Sequence, residues 1–138
     1  MRENLFKGIR RDSGEWIEGQ LLYFKASVGT EEFALISESC EWDTSNEWFN
    51  LCKRAKVIPS TIGQYTGVND INANKIFEHD IVRKYVNGKE LIGVVEFSDG
   101  AFGVRFADGS GQLLCFFGDC CEVIGNIHND HEIILGYC

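Results

Sequence analysis

Runs of branched and aromatic residues, separated by turn residues, dominate the hydrophobic pattern of this chain. Such side chains pack well on a pleated, half-buried surface, and turn signals at short intervals are typical of β-meanders. The pattern therefore predicts a mainly β protein. The predicted strands lie at residues 16–24, 32–37, 81–86, 91–97, 102–106, 113–117 and 122–127.

The second half of the chain carries the most specific local signal, a β-hairpin over residues 81–97 with Asn87-Gly88 between its strands. Asn-Gly takes positive φ at both central positions of a type I′ turn, whose twist matches the strands it joins. Further hairpins are predicted at Ser98-Asp99-Gly100 and across residues 107–111. Residues 81–127 thus supply about five short strands in order, the pattern of a small barrel or curled sheet.

The first half predicts two or three strands within residues 1–39, with apolar residues on both faces of the strand at 16–24. Residues 43–55 are ambiguous. Thr44 and Glu47 have the form of a capping box, which favours a helix, whereas Trp48 and Phe49 favour a strand, and a strand is the preferred interpretation. We expect an N-terminal β-rich lobe over residues 1–57 and a second lobe over residues 58–138, or one compact unit.

The charge balance, 13 basic against 21 acidic residues, gives a net charge of −8. This charge makes long-range approach to a phosphate backbone unfavourable, so nucleic acid is the less expected partner. No apolar run is long enough for a membrane helix, and the first residues lack the apolar core of a signal peptide, which predicts a cytoplasmic protein. The six cysteines are then expected to be free and mostly buried. Basic residues gather in two places, Arg2, Lys7, Arg10 and Arg11, and Lys53, Arg54 and Lys56.

Residues 57–83, which we call the signature segment, read VIPSTIGQYTGVNDINANKIFEHDIVR. The words GQYTG at 63–67, IFE at 76–78 and DIV at 80–82 resemble the YopX family, small proteins encoded by bacteriophages and prophages. The resemblance extends to LFKG at 5–8, GEWIEG at 14–19 and VIGNI at 123–127. It implies a β-rich fold with an SH3-type barrel, placed in the C-terminal half, and no assigned reaction or cofactor.

Two positions depart from the family pattern, because Ala73 and His79 stand where the family usually has glycine. Glycine takes positive φ at little cost, so these substitutions predict a differently shaped turn.

The candidate binding residues lie in the signature segment. Tyr and Gln present flat apolar bodies with polar ends, which suits recognition surfaces. A purely structural interpretation is the stronger one, since Gly63 and Gly67 bracket a bend and an Asp in such a turn often binds its own backbone. The candidates are Gln64, Tyr65, Thr66, Glu78 and Asp80.

Metal and catalytic chemistry are weaker predictions. His128 and His131 follow Cys120 and Cys121, yet adjacent residues of a strand point to opposite faces and zinc-knuckle spacing is absent. The run around Cys115 predicts a buried strand with an inert thiol. We therefore expect no enzyme, metal or cofactor, and a module that binds a host or phage protein or a second copy of itself. The alternative is a nucleic-acid-binding barrel that uses Tyr85 and Phe97.

Overall fold

The computed structural model describes residues 4–25, 32–45, 48–117 and 120–130. Antiparallel pairing arranges the strands in two sheets, with order β4-β3-β2-β1-β5-β6 and β10-β9-β8-β7-β11. The protein is therefore mainly β, as predicted. The strands are β1 Phe6–Ile9, β2 Trp16–Lys25, β3 Glu32–Asp43, β4 Trp48–Val57, β5 Gly63–Asn69, β6 Lys75–Phe77, β7 Asp80–Val86, β8 Lys89–Ser98, β9 Ala101–Phe106, β10 Gly111–Leu113 and β11 Glu122–Asn126, with a 3-10 turn at Pro59–Thr61 and a short helix α1 at Leu114–Phe117.

Contacts divide the chain into two compact units, which meet in sequence between Gln64 and Tyr65. The predicted lobes, 1–57 and 58–138, stay a prediction. In the part of the chain that the structure describes, no helix is long and apolar enough to cross a membrane.

The first unit curls its sheet so that the end of β1 returns to the end of β4. Arg10 forms an isolated antiparallel bridge with Val57, and the Ile58 N–H donates to the Ile9 carbonyl at 2.9 Å. Buried apolar side chains from β2, β3 and β4 fill the inside of the curl. They are Ile17, Ala34, Ile36, Ala55 and Val57.

The second unit is a meander in which β7, β8, β9 and β10 follow one another in the sheet and β11 returns beside β7. Its core consists of Ile76, Val82, Val95, Val104, Leu114 and Cys121. Asn87 and Gly88 have φ of 51° and 79°, so the predicted type I′ hairpin is confirmed. The hairpins at Asp99-Gly100 and at residues 107–111 are confirmed too. This sheet is open, and the SH3-type barrel is not confirmed.

The structure agrees with the strand predicted for the ambiguous residues 43–55 but not with the strand predicted at residues 113–117. Within residues 43–55, β3 ends at Asp43, Thr44 and Ser45 form a turn, and β4 begins at Trp48, which confirms the strand interpretation from residue 48 onward. The strand predicted at 113–117 is wrong, because β10 ends at Leu113 and α1 follows. The periodicity of a short apolar run does not distinguish a strand from a helix. Here the run forms a helical turn that buries Leu114 in the core and leaves Cys115 exposed.

Candidate functional site

Asp80 closes the tight turn between β6 and β7. Its side chain is 1% exposed. One carboxylate oxygen, Oδ2, accepts the Phe77 N–H at 2.8 Å, and the other, Oδ1, accepts the Asn126 Nδ2 amide at 3.0 Å. A buried carboxylate needs such donors, because leaving it without partners in the interior would be costly. Asp80 therefore joins the turn to the end of β11.

Tyr65 is buried against the same turn. Its ring lies 5.7 Å from that of Phe77, and its hydroxyl donates to Asn69 Oδ1 at 2.5 Å. The ring covers part of the core and the hydroxyl is satisfied within β5. Little of this side chain is left to meet a ligand.

Thr66 supports the irregular part of β5, where the register with β6 shifts between Tyr65 and Asn69. Its hydroxyl accepts the Val68 N–H at 3.2 Å and donates to the Ile76 carbonyl at 2.8 Å. These bonds replace ladder bonds that the shift breaks, next to Gly67 at φ 86°.

Gln64 and Glu78 complete the candidate set. Gln64 is half-buried opposite Phe6 of β1, in the first unit, whereas the other four candidates belong to the second. Glu78 is half-buried, with Oε2 3.9 Å from His79 Nε2. Phe77 connects Tyr65 to Asp80, because its ring packs against that of Tyr65 and its N–H donates to Asp80. Their role as a binding site stays a prediction.

A pair of histidines that sequence reasoning did not join lies beside this turn. His79 Nδ1 is 3.3 Å from His128 Nε2, and the two rings meet edge to face. Backbone bonds fix both residues: His79 N–H donates to Val95, Ile127 N–H donates to His79, and His128 N–H donates to Asn126 Oδ1. A pair separated by 49 residues leaves no local sequence signal.

The histidine pair can share one proton, with one ring donating and the other accepting. Glu78 approaches the outer nitrogen of His79. Across the residues that the structure describes, no group of three His, Cys, Asp or Glu side chains is placed to hold a metal ion. His131 lies outside the described residues.

Asp70 organises the turn between β5 and β6. Its Oδ1 accepts the N–H groups of Asn72 and Asn74 at 2.9 and 2.8 Å, and its Oδ2 accepts that of Val123 at 2.9 Å. Burial raises the pKa of the Asp70 carboxyl, but the N–H groups of Val123, Asn74 and Asn72 outweigh burial and leave the pKa below its usual value.

The two departures from the family pattern keep a glycine-like backbone. Ala73 has φ 64° and His79 has φ 75°, both in the left-handed region. The prediction of a differently shaped turn is therefore not supported by the backbone conformation. Asp70 accepts the Asn74 N–H across Ala73, and Asp80 accepts the Phe77 N–H across His79, and these hydrogen bonds hold both residues in a conformation that L side chains disfavour.

A groove crosses one face of β8, β9 and β10 in the second unit. Gly103 lies opposite Glu96 on one side and Leu113 on the other, so these three positions share a face. The cavity is about 350 Å³, and small residues form its floor. An ion pair between Arg105 and Glu96, 2.9 Å long, borders it. The groove lining on this face is Glu96, Ser98, Ala101, Gly103, Arg105, Gly111 and Leu113.

The strand beside this groove, β10, is an edge. Phe106 N–H donates to the Ser110 carbonyl at 2.8 Å, and opposed residues of an antiparallel pair alternate between bonded and non-bonded. Gln112 therefore turns its backbone groups toward β9. Gly111 and the N–H of Leu113 face the other way, where the order of described strands ends.

The thiols divide into two classes. Cys121 is buried in the second core, and burial raises its pKa to about 11, with the Asp70 carboxylate adding to the shift. It is therefore protonated and inert at neutral pH. Cys115 and Cys120 are free and exposed, so the prediction that the cysteines are mostly buried is wrong for these two. The side chains of Cys40 and Cys52, and the whole of Cys138, lie outside what the structure describes.

The chain is similar to known proteins in both sequence and fold. A family model described as "YopX protein" matches residues 5–134, nearly the whole chain. The crystal structure of protein EF1440 from Enterococcus faecalis is similar, with a TM-score of 0.62 and 20% identity over 97% of this chain and 99% of that chain. At this identity the likeness shows the fold alone. A comparison with curated proteins finds no match.

Proposed function

The chain belongs to the YopX family, and from that premise we propose that it is a non-enzymatic accessory protein that binds an extended segment of another protein along β10. One observation carries the proposal. An edge strand with outward backbone groups runs beside a groove of about 350 Å³ in the same unit.

Edge geometry favours an extended protein segment as the occupant. A strand added to β10 would exchange main-chain hydrogen bonds with Gly111 and with the N–H of Leu113. Every second side chain of that strand would lie on the face that carries the groove. The floor of glycines and Ala101 leaves room for those side chains, and Leu113, which is 47% exposed, offers an apolar contact.

The absence of a reaction is part of the proposal. Asp80, Tyr65 and Thr66 spend their polar atoms on the backbone and on neighbouring side chains. Cys121 has a raised pKa, which opposes thiolate chemistry. These contacts favour a structural role for the signature segment over a catalytic one.

The cellular setting and the finer fold also belong to the proposal. The family resemblance favours a bacteriophage or prophage origin and the cytoplasm of a bacterial host, with a host or phage protein as partner. We extend the proposal to a partly open SH3-type barrel. The return of β1 to β4 supports such curling most strongly in the first unit, rather than in the second half where the sequence suggested it.

Nucleic acid is the second candidate, because Tyr85 and Phe97 are exposed as the alternative requires. The strand register counts against it. Tyr85 lies opposite Glu90, whereas Phe97 lies seven positions further along β8, so the two rings project from opposite faces. One strand of bases cannot stack on both. Absence of any shift of single-stranded or duplex DNA or RNA at low salt removes this candidate.

A displayed library of random peptides, selected on the immobilised full chain, tests the proposal. We expect enriched peptides to bind with dissociation constants of about 1–100 μM, typical of short motifs that pair with a sheet edge. Leu113→Lys should weaken their binding by about tenfold or more, since a charge beside an open strand opposes added pairing.

Leu91→Lys provides the matched control. Leu91 is an exposed leucine on β8, which is an interior strand of the same sheet, so the change in charge and apolar area is alike. Its affinity should stay within about twofold of the parent, because sites without shared contacts act independently. Equal binding by Leu113→Lys and the parent, or no enriched peptide, overturns the proposal. A dimer that Leu113→Lys abolishes would instead identify a second copy as the occupant.

A further inference from the structure

Arg11, from one basic cluster of the sequence, meets the other basic cluster in the first unit. Arg11 follows β1 and donates its N–H to the carbonyl of Lys56 near the end of β4, at 3.0 Å. This contact follows from the curl that bridges Arg10 to Val57. Residues up to 45 positions apart in sequence thereby surround one cavity of about 480 Å³, lined by Arg11, Asp12, Leu35, Arg54, Ala55 and Lys56.

The single carboxylate at this cavity is already neutralised. Arg10 holds Asp12 through two hydrogen bonds, Nε to Oδ1 at 3.0 Å and Nη2 to Oδ2 at 2.9 Å. The bond from Arg10 lowers the pKa of Asp12, so the carboxylate stays ionised and paired. Asp12 therefore leaves the cavity's other cations uncompensated.

Three cations remain available to a ligand. Arg11, Arg54 and Lys56 are exposed, and none forms an ion pair with a carboxylate within the described ranges. Lys56 Nζ lies 5.1 Å above the ring of Phe33, an arrangement that orients the ammonium. The cavity thus concentrates positive charge on a protein whose net charge is −8.

We propose that this cavity is a binding site for a small phosphomonoester. Arginine presents a planar fork of donors that matches phosphate oxygens. A phosphomonoester carries about −1.5 to −2 charges near pH 7, so three cations complement it better than they complement a single carboxylate. Half-buried Leu35 lies opposite Lys56 on the face that also carries Arg54, and it supplies an apolar contact for the organic part.

The compact size of the ligand follows from charge. A long polyanion would meet the negative field of the whole chain, which opposes its approach. A single phosphate group needs the local field of the three cations alone. This site is distinct from the β10 edge, because its lining belongs wholly to the first unit.

The test uses phenyl phosphate, inorganic phosphate and benzoate as probes on the full chain at pH 8 and low salt, followed by ¹H–¹⁵N NMR. We expect phenyl phosphate to shift the Arg11 and Lys56 amides and the Arg54 side chain with millimolar affinity. Inorganic phosphate should shift the same signals more weakly, and benzoate should bind at least about fivefold more weakly than phenyl phosphate. Added salt should weaken binding, since exposed charges are screened.

Two variants assign the site. Arg54→Gln should weaken phenyl phosphate at least about fivefold, and Arg11→Gln should do the same. Lys89→Gln removes an equal charge from the exposed hairpin of the second unit and should leave affinity unchanged. Unchanged affinity in Arg54→Gln, equal binding of benzoate, or tighter binding of a single-stranded oligonucleotide than of phenyl phosphate would overturn the proposal.

Discussion

Ala73 and His79 show how single residues are held in costly conformations at the signature turns. Each has a left-handed backbone, which costs an L residue about 1–2 kcal/mol relative to glycine. The hydrogen bonds of Asp70 and Asp80 compensate locally. Residue type alone does not indicate these conformations, since the left-handed backbone at both sites is flanked by N–H groups that donate to neighbouring carboxylates.

Ala73→Gly should therefore stabilise the protein. Glycine removes the left-handed strain at Ala73 but adds freedom to the unfolded chain, so we expect a net gain of about 0.5–1 kcal/mol in the free energy of unfolding. Urea denaturation measures it. Ala107→Gly is the control, because Ala107 also lies in an exposed turn but is not among the described residues with positive φ. It should be neutral or destabilising, and a loss of stability in Ala73→Gly would contradict the interpretation.

The lowered pKa of the Asp70 carboxyl predicts that the free energy of unfolding depends on pH. Its pKa is lower in the folded protein, so its stabilisation is complete above the pKa of the unfolded chain and is lost as pH falls through the folded pKa. Asp70→Asn should cost about 1–3 kcal/mol at pH 7, since an amide nitrogen or a neutral oxygen replaces a charged acceptor.

That cost should shrink as the pH falls from about 5 toward 3, where the parent protein loses the same charge. Urea unfolding of both proteins across this range measures the difference. Asp99→Asn, in an exposed turn with left-handed φ, should show little change at any pH. A cost of Asp70→Asn that is independent of pH would refute the assignment.

At the scale of elements, local turn chemistry was predictable and long-range register was not. Asn87-Gly88 identified its hairpin because the φ preference of those residues is a local property. The histidine pair was missed, since His79 precedes β7 and His128 follows β11, and only the long-range pairing of these two strands brings them together. The contact of Arg11 with Lys56 was missed for a related reason, because it requires the curl of a whole sheet.

The Asn87-Gly88 hairpin gives a prediction at this scale. Gly88 has φ 79° and nothing lies within 4 Å of an added Cβ, so substitution there costs backbone strain alone. Gly88→Ala should lose about 1–2 kcal/mol of stability, and Gly88→Asn should lose less, because Asn tolerates the left-handed region. Urea denaturation ranks the three proteins. Equal stability of Gly88→Ala and the parent would contradict the turn assignment.

At the scale of the whole molecule, the two units carry different candidate binding surfaces. Each has its own apolar core. The first presents a basic cavity on an acidic protein, and the second presents an open strand beside an apolar groove. Composition predicted the acidity and the hydrophobic pattern predicted the β content, but neither predicted these surfaces, because each surface is assembled from residues that only the fold brings together.

Amide-resolved hydrogen exchange with a saturating selected peptide tests the central claim most directly. The account predicts slower exchange at Gly111 and Leu113, whose N–H groups face away from β9, and unchanged exchange along β11, the other edge of the sheet. Protection along β11, or protection nowhere on β10 despite binding, would contradict it.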